Sequence, residues 1–222
     1  MDCRSLNSSE IIPEINFQSI SPSVWLSLRK KFNIILIAGI LFLQSCDLFS
    51  TRGVETPSDP RSTFIQPTSA DIVLDNLEFA IAEKNLNNYI KCFVDTTFSA
   101  RRFRYFPDAV SQSSYPVFLS WSLNNERAYF SNLISFSTAT SPSNLFRDNT
   151  VFNTSIDSTI VDMDYILIFD HSRSNVAKQT KGKLRFIMGA DERGLWSIHS
   201  WYDFLNANND TTWSVLKANF VN

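Results

Sequence analysis

Two stretches of strict alternation, residues 159–170 and 176–188, leave this chain few ways to fold. In the first, Val161, Met163, Tyr165, Leu167 and Phe169 fall on one face, with Asp162 and Asp164 on the other. In the second, Leu184, Phe186 and Met188 share a face, with Lys183 and Arg185 opposite. A period of two marks a half-buried strand. An antiparallel hairpin turning near Arg173 and Ser174 sets Met163 opposite Leu184 and Val161 opposite Phe186. The same register sets Asp164 opposite Lys183 and Asp162 opposite Arg185. Each such charge pair contributes roughly 0.2–1 kcal/mol, and a slip of one residue would bury the charges. The register is therefore strongly specified.

The remaining elements follow by pattern. A third strand, residues 195–204, is reached through a turn at Asp191-Glu192-Arg193-Gly194. It is expected to gather Trp196, Ile198, Tyr202 and Phe204 on one face, with Phe186 opposite Ile198 and Met188 opposite Trp196. A weaker strand covers residues 145–156, and residues 103–107 form a short extended piece ending at Pro107. Thr68 or Ser69 caps a first helix with Asp71 in its first turn and Val73, Leu77, Ala80 and Ile81 as its apolar stripe. A second helix follows Asn85, carrying Leu86, Tyr89, Ile90 and Phe93. A third spans residues 122–137, with Leu123, Phe130, Leu133 and Ile134 inward and Asn124, Asn125, Glu126 and Arg127 outward. Thr212 caps a short terminal helix that packs Trp213, Leu216 and Phe220. The fold class is α+β: N-terminal helices on a curved, cone-like antiparallel sheet, closed by a short C-terminal helix.

Ahead of this domain lies a basic cluster, Arg29-Lys30-Lys31, then an apolar run over residues 32–43 broken only by Asn33, then Leu43-Gln44-Ser45-Cys46. A membrane-spanning helix needs roughly 20 apolar residues, whereas a signal core needs roughly 7–15. The order of these parts resembles a bacterial lipoprotein signal. That resemblance implies cleavage before Cys46, a diacylglyceryl thioether on its sulfur and usually a third, amide-linked chain. Two or more acyl chains hold a protein stably at a bilayer where one is reversible. Residues 29–45 then form the signal peptide and residues 46–68, with Pro57, Pro60 and Pro67, a lipidated tether. Residues 1–28 are polar and precede the basic cluster, so translation is expected to begin near Leu28, the earlier residues being an over-extended N-terminus. The domain proper is residues 69–222.

Composition excludes several classes. A formal charge of -2 gives no basic field for nucleic acid. Of three cysteines only Cys92 remains in the domain, so it contains no disulfide, and its apolar neighbours mark a buried thiol. Two histidines without clustered thiols give no metal-ligand spacing, and no cofactor motif is present. The chain has nineteen phenylalanines and five tryptophans, many for its length, and those in the domain can fill a core or line a cavity within it.

Asp75-Asn76-Leu77 with Ala80, the helix over residues 85–93 and the closing strand Gly194-Leu195-Trp196-Ser197-Ile198-His199-Ser200-Trp201-Tyr202-Asp203 together resemble the nuclear transport factor 2-like (cystatin-like, SnoaL-like) superfamily. The resemblance covers most of residues 69–205 and rests on element order; the terminal helix is an addition to the common pattern. It implies a curved sheet wrapped round a long helix, forming a cone whose open end often holds a ligand. Some members are isomerases or dehydratases that use Asp, His or Tyr groups in an apolar cone, but no catalytic motif matches here position by position.

Candidate residues divide accordingly. His199 and Asp203, four apart on one strand, lie about 13 Å apart at roughly 3.3 Å per residue, and fall on the presumed outer face. Asp162 and Asp164 are partners of the facing cations, and His171 falls in a turn. Tyr165, Trp196 and Tyr202 carry polar tips on the apolar face, where each needs a partner. They belong either to a filled core or to a ligand cavity. The expected partners are the membrane, through Cys46, and a small apolar ligand or an envelope protein. The alternative is an isomerase- or hydrolase-like enzyme within the cone.

Overall fold

The computed structural model describes residues 63–206 and 211–222. The signal, Cys46 and most of the tether lie outside the described residues. Among the described residues, no helix is long and apolar enough to cross a membrane.

Helix α1, Ala70–Ala82, begins where the Ser69 hydroxyl accepts a hydrogen bond from the Ile72 N–H, with Asp71 in the first turn complementing the helix dipole. Its buried stripe includes Val73, Leu74, Leu77, Ala80 and Ile81. Helix α2, Leu86–Lys91, is capped by the Asn85 side chain, which accepts from the Asn88 N–H at 3.1 Å. Strand β1, Arg104–Phe106, is followed by helix α3, Ala109–Ser114, and a 3₁₀ turn, Pro116–Ser120, neither of which the apolar pattern reveals. Helix α4 is Leu123–Ser135. Strands β2, Ser143–Thr154, β3, Thr159–Phe169, β4, Gln179–Ala190, and β5, Trp196–Phe204, precede helix α5, Trp213–Phe220.

The five strands form one curved sheet in the order β1-β5-β4-β3-β2, antiparallel except where β1 runs parallel to β5. The β3–β4 register is the expected one: Met163 faces Leu184, Val161 faces Phe186, Asp164 faces Lys183 and Asp162 faces Arg185. Arg185 grips Asp162 through two bonds, Nε at 2.7 Å and Nη2 at 3.1 Å. The α+β fold class expected from the sequence is the one observed.

The β4–β5 register is not as expected. Met188 pairs with Ile198 and Ala190 with Trp196, and a bulge at the level of Ile187 and Met188 makes His199 an extra residue. Beyond it the alternation of β5 reverses, because one added residue turns every later side chain to the other face. Trp201 and Asp203 therefore point into the core, while Tyr202 lies half-buried on the outer face beside exposed Phe204. The inward placing of Tyr202 is thus corrected: its ring stacks on Phe106 at 4.2 Å. The outward placing of Asp203 is corrected too.

The inner faces of β3, β4 and β5 meet α1, α4 and α5 over one aromatic core. Trp201 is its hub, edge-on to Phe186 at 5.0 Å and to Trp213 at 4.6 Å. Such pairs add about 0.5–1.5 kcal/mol beyond area burial.

Candidate functional site

The interior of the cone carries an unusual amount of polar chemistry for so apolar a shell. Helix α5 brings Lys217 inward, where it is fully buried with its Nζ 2.6 Å from both carboxylate oxygens of Glu126 on α4. Glu126 was expected to face solvent with its polar neighbours; instead it is fully buried. Its remaining lone pairs are taken by the Tyr89 hydroxyl at 2.6 Å and the Trp121 indole N–H at 2.8 Å. The ammonium also lies 3.5 Å from the Trp201 ring centroid and 4.0 Å from that of Tyr105. A buried charge is tolerated when it is paired and its polar groups are engaged: the carboxylate accepts four hydrogen bonds, and the ammonium has two hydrogen bonds and two ring faces. Burial nonetheless pulls the Lys217 pKa down to about 8, against the opposing pull of Glu126.

Asp203 forms the second node. It accepts from Tyr165 Oη at 2.8 Å, from the Ser214 N–H at 2.7 Å and from the Ser214 hydroxyl at 2.6 Å. Desolvation raises its carboxyl to about 6, although the Ser214 and Tyr165 bonds work against that rise. Tyr165 in turn accepts from the Trp213 N–H at 2.7 Å, which satisfies the first turn of α5. Gly182 leaves the room this needs: a Cβ there would lie 3.0 Å from the Tyr165 hydroxyl and 2.5 Å from the Phe204 carbonyl oxygen. Asp108, the cap of α3, accepts from Thr212 Oγ1 at 2.6 Å, so Thr212 anchors the entry to α5 through that carboxylate. Burial would raise Asp108, but bonds from Ser111 and Thr212 outweigh it and hold the carboxyl below its usual range.

These contacts decide what the interior can do. Glu126, Asp203, Lys217, Tyr89, Tyr105 and Tyr165 are all buried and hydrogen-bonded to one another or to Trp121, Trp213 and Ser214, and burial holds the tyrosine hydroxyls firmly protonated. The apolar face of α5, Trp213, Leu216 and Phe220, fills the space beside them. Tyr165 is a core residue with protein partners.

Of the two histidines, His171 is not the solvated turn residue its position suggested. It is buried, its ring edge-on to Phe220 at 4.9 Å. His199 sits at the bulge, where burial and then Arg101 lower its pKa. Cys92 is buried as expected, and desolvation raises its thiol well above the ordinary range, which makes it a poor nucleophile.

The open concavity lies elsewhere. A groove of about 680 Å³ runs between α2, the start of α4 and the start of β5. Its floor is apolar, from Phe64, Ile90, Phe93, Leu123 and Trp196, and its rim is charged. This volume falls within the roughly 300–1,000 Å³ usual for small-molecule sites. Of the three residues proposed from sequence, Trp196 alone lines it; Tyr165 is sealed in the core and Tyr202 faces outward. The groove went unseen because its wall joins segments more than ninety residues apart in sequence, such as Phe93 and Trp196.

No family model matches the sequence, and a comparison with curated proteins finds no match. Among solved structures the chain is similar to proteins of NTF2-like, cystatin-like fold. A Mycobacterium tuberculosis protein of unknown function is 10% identical, with 68% of this chain and 82% of that one covered at a TM-score of 0.45. An NTF2-like protein from Cytophaga hutchinsonii is 9% identical, with 61% and 96% covered at a TM-score of 0.43. A cystatin-like protein of unknown function from Nostoc punctiforme is 10% identical, with 61% and 87% covered at a TM-score of 0.40. Neighbours from Streptomyces avermitilis and Novosphingobium aromaticivorans bear dehydratase names. Likeness at this level concerns chain path, and no catalytic residue carries over from it.

Proposed function

We propose that the chain is a lipoprotein of the bacterial cell envelope, anchored through acyl chains on Cys46, whose α+β domain binds a small apolar ligand in the groove beside Trp196. The observation that supports this reading is the occupied interior: Lys217 is locked onto Glu126, and Asp203 is engaged by Tyr165 and Ser214. Among the described residues, the larger of two concavities, the groove over Phe93 and Trp196, is therefore the one we assign to the ligand. The competing isomerase- or hydrolase-like reading needs a void facing an acid or base, and Asp203 faces protein donors instead.

Native mass spectrometry of the processed protein, extracted from its own envelope, tests the reading. The expected result is a small molecule retained by the wild type and lost from a Trp196→Glu variant. Equal retention by the variant, or no retained molecule in either, would count against the groove.

A further inference from the structure

The charges around the groove do not balance. Asp191 and Arg193 neutralise each other: the Arg193 guanidinium donates to Asp191 Oδ2 at 2.6 Å, and Oδ1 accepts from the backbone N–H groups of Arg193 and Leu195. Arg193 is further occupied by the Phe98 ring, 3.6 Å from its guanidinium carbon. Asp95 accepts from the Thr97 N–H at 2.9 Å and lies 4.0 Å from Arg193. That leaves Lys91, on the last turn of α2, and Arg127, in the first turns of α4. Both line the groove and both are exposed. Lys91 sits 5.2 Å over the Phe64 ring, and neither cation has a carboxylate within ion-pair distance among the described residues. Three cations against two carboxylates leave the groove one positive charge in excess, and Lys91 and Arg127 are the cations that stand over its apolar floor without a carboxylate partner.

We propose that the groove takes an amphipathic monoanion, a free fatty carboxylate, with its hydrocarbon chain along Ile90, Phe93 and Trp196 and its head group held by Lys91 and Arg127. This rests on the groove being the ligand site. An uncharged apolar ligand would leave the one excess positive charge unmatched, a cationic one would be repelled, and a monoanion balances the groove. Arg127 supplies a planar fork suited to a carboxylate, and Lys91 a point charge on the same groove.

The test uses the protein as processed, beginning at position 46 with Cys46→Ser, titrated calorimetrically with laurate, methyl laurate and dodecylammonium below their aggregation limits. The expected result is laurate binding at least tenfold tighter than either of the others. In the Lys91→Glu/Arg127→Glu double variant the order should invert in favour of dodecylammonium, and Arg127→Ala alone should weaken laurate at least threefold. Equal affinity for laurate and its methyl ester would overturn the carboxylate assignment while leaving the groove standing. Binding of none of the three by wild type would overturn both, and an unchanged laurate preference in the double variant would place the anion elsewhere. Should a variant fail to fold, the wild-type comparison of laurate with its methyl ester still decides the carboxylate assignment.

Discussion

Asp203 and the Lys217–Glu126 pair show how single residues bear on this fold. Replacing Lys217 by Met strips Glu126 of its counter-charge inside the core, where an uncompensated charge costs about 3–5 kcal/mol. Urea unfolding should show that loss, and Lys217→Met combined with Glu126→Gln should lose less than Lys217→Met alone. Asp203 makes a prediction in pH. Its folded carboxyl, raised to about 6, binds its proton more tightly than in the unfolded chain. That contribution is therefore fully present below about pH 4 and is lost as pH rises through about 6. At about 1.36 kcal/mol per unit the swing is about 3 kcal/mol. Between pH 4 and pH 7, the stability of Asp203→Asn relative to wild type should rise by that order; a flat difference would mean the carboxyl titrates normally. Neither residue was legible in the sequence. Glu126 sits in Asn124-Asn125-Glu126-Arg127, which reads as a solvent face, and its partner lies 91 residues away. Asp203 was misread because one extra residue, His199, reverses the alternation that located it.

At the scale of elements, legibility followed the strength of local patterning. The β3–β4 hairpin could be read to the residue because apolar and charged faces agree on one register. The first cap was narrowed to Thr68 or Ser69, and the second helix was placed directly after Asn85, because a short polar side chain precedes each apolar stripe; the structure uses Ser69 and Asn85 as the caps. Strand β5 is aromatic on both faces, Trp201 inward and Tyr202 with Phe204 outward, so pattern could not betray its bulge. Helix α5 was foreseen, but not that it would carry a buried lysine. It follows that α5 is part of the core: Trp213, Leu216, Lys217 and Phe220 are each at most 2% exposed. A chain ending at residue 210 should lose its cooperative thermal transition and bind a hydrophobic dye, whereas native-like unfolding of that truncation would show α5 to be dispensable. By contrast, the Asp162–Arg185 pair lies at the surface, and Asp162→Ala should cost under about 1 kcal/mol in the same urea assay.

For the molecule as a whole, the proposed function needs two separable parts, an anchor at Cys46 and a groove that takes a ligand. If acyl chains on Cys46 hold it to the envelope, Cys46→Ala should leave the membrane fraction and incorporate no labelled palmitate; unchanged fractionation would remove the anchor. The domain's part is a filled cone with its open concavity on the outside, so ligand contact and fold stability are separable. The buried polar residues Glu126, Asp203 and Lys217 are distinct from the residues proposed to meet a ligand, Lys91, Arg127 and Trp196. Backbone amide resonances recorded during a laurate titration test this most directly. The shifts should cluster at Ile90, Lys91, Arg127 and Trp196 and leave Tyr165, Asp203 and Lys217 unmoved; shifts centred on those three instead would contradict the account.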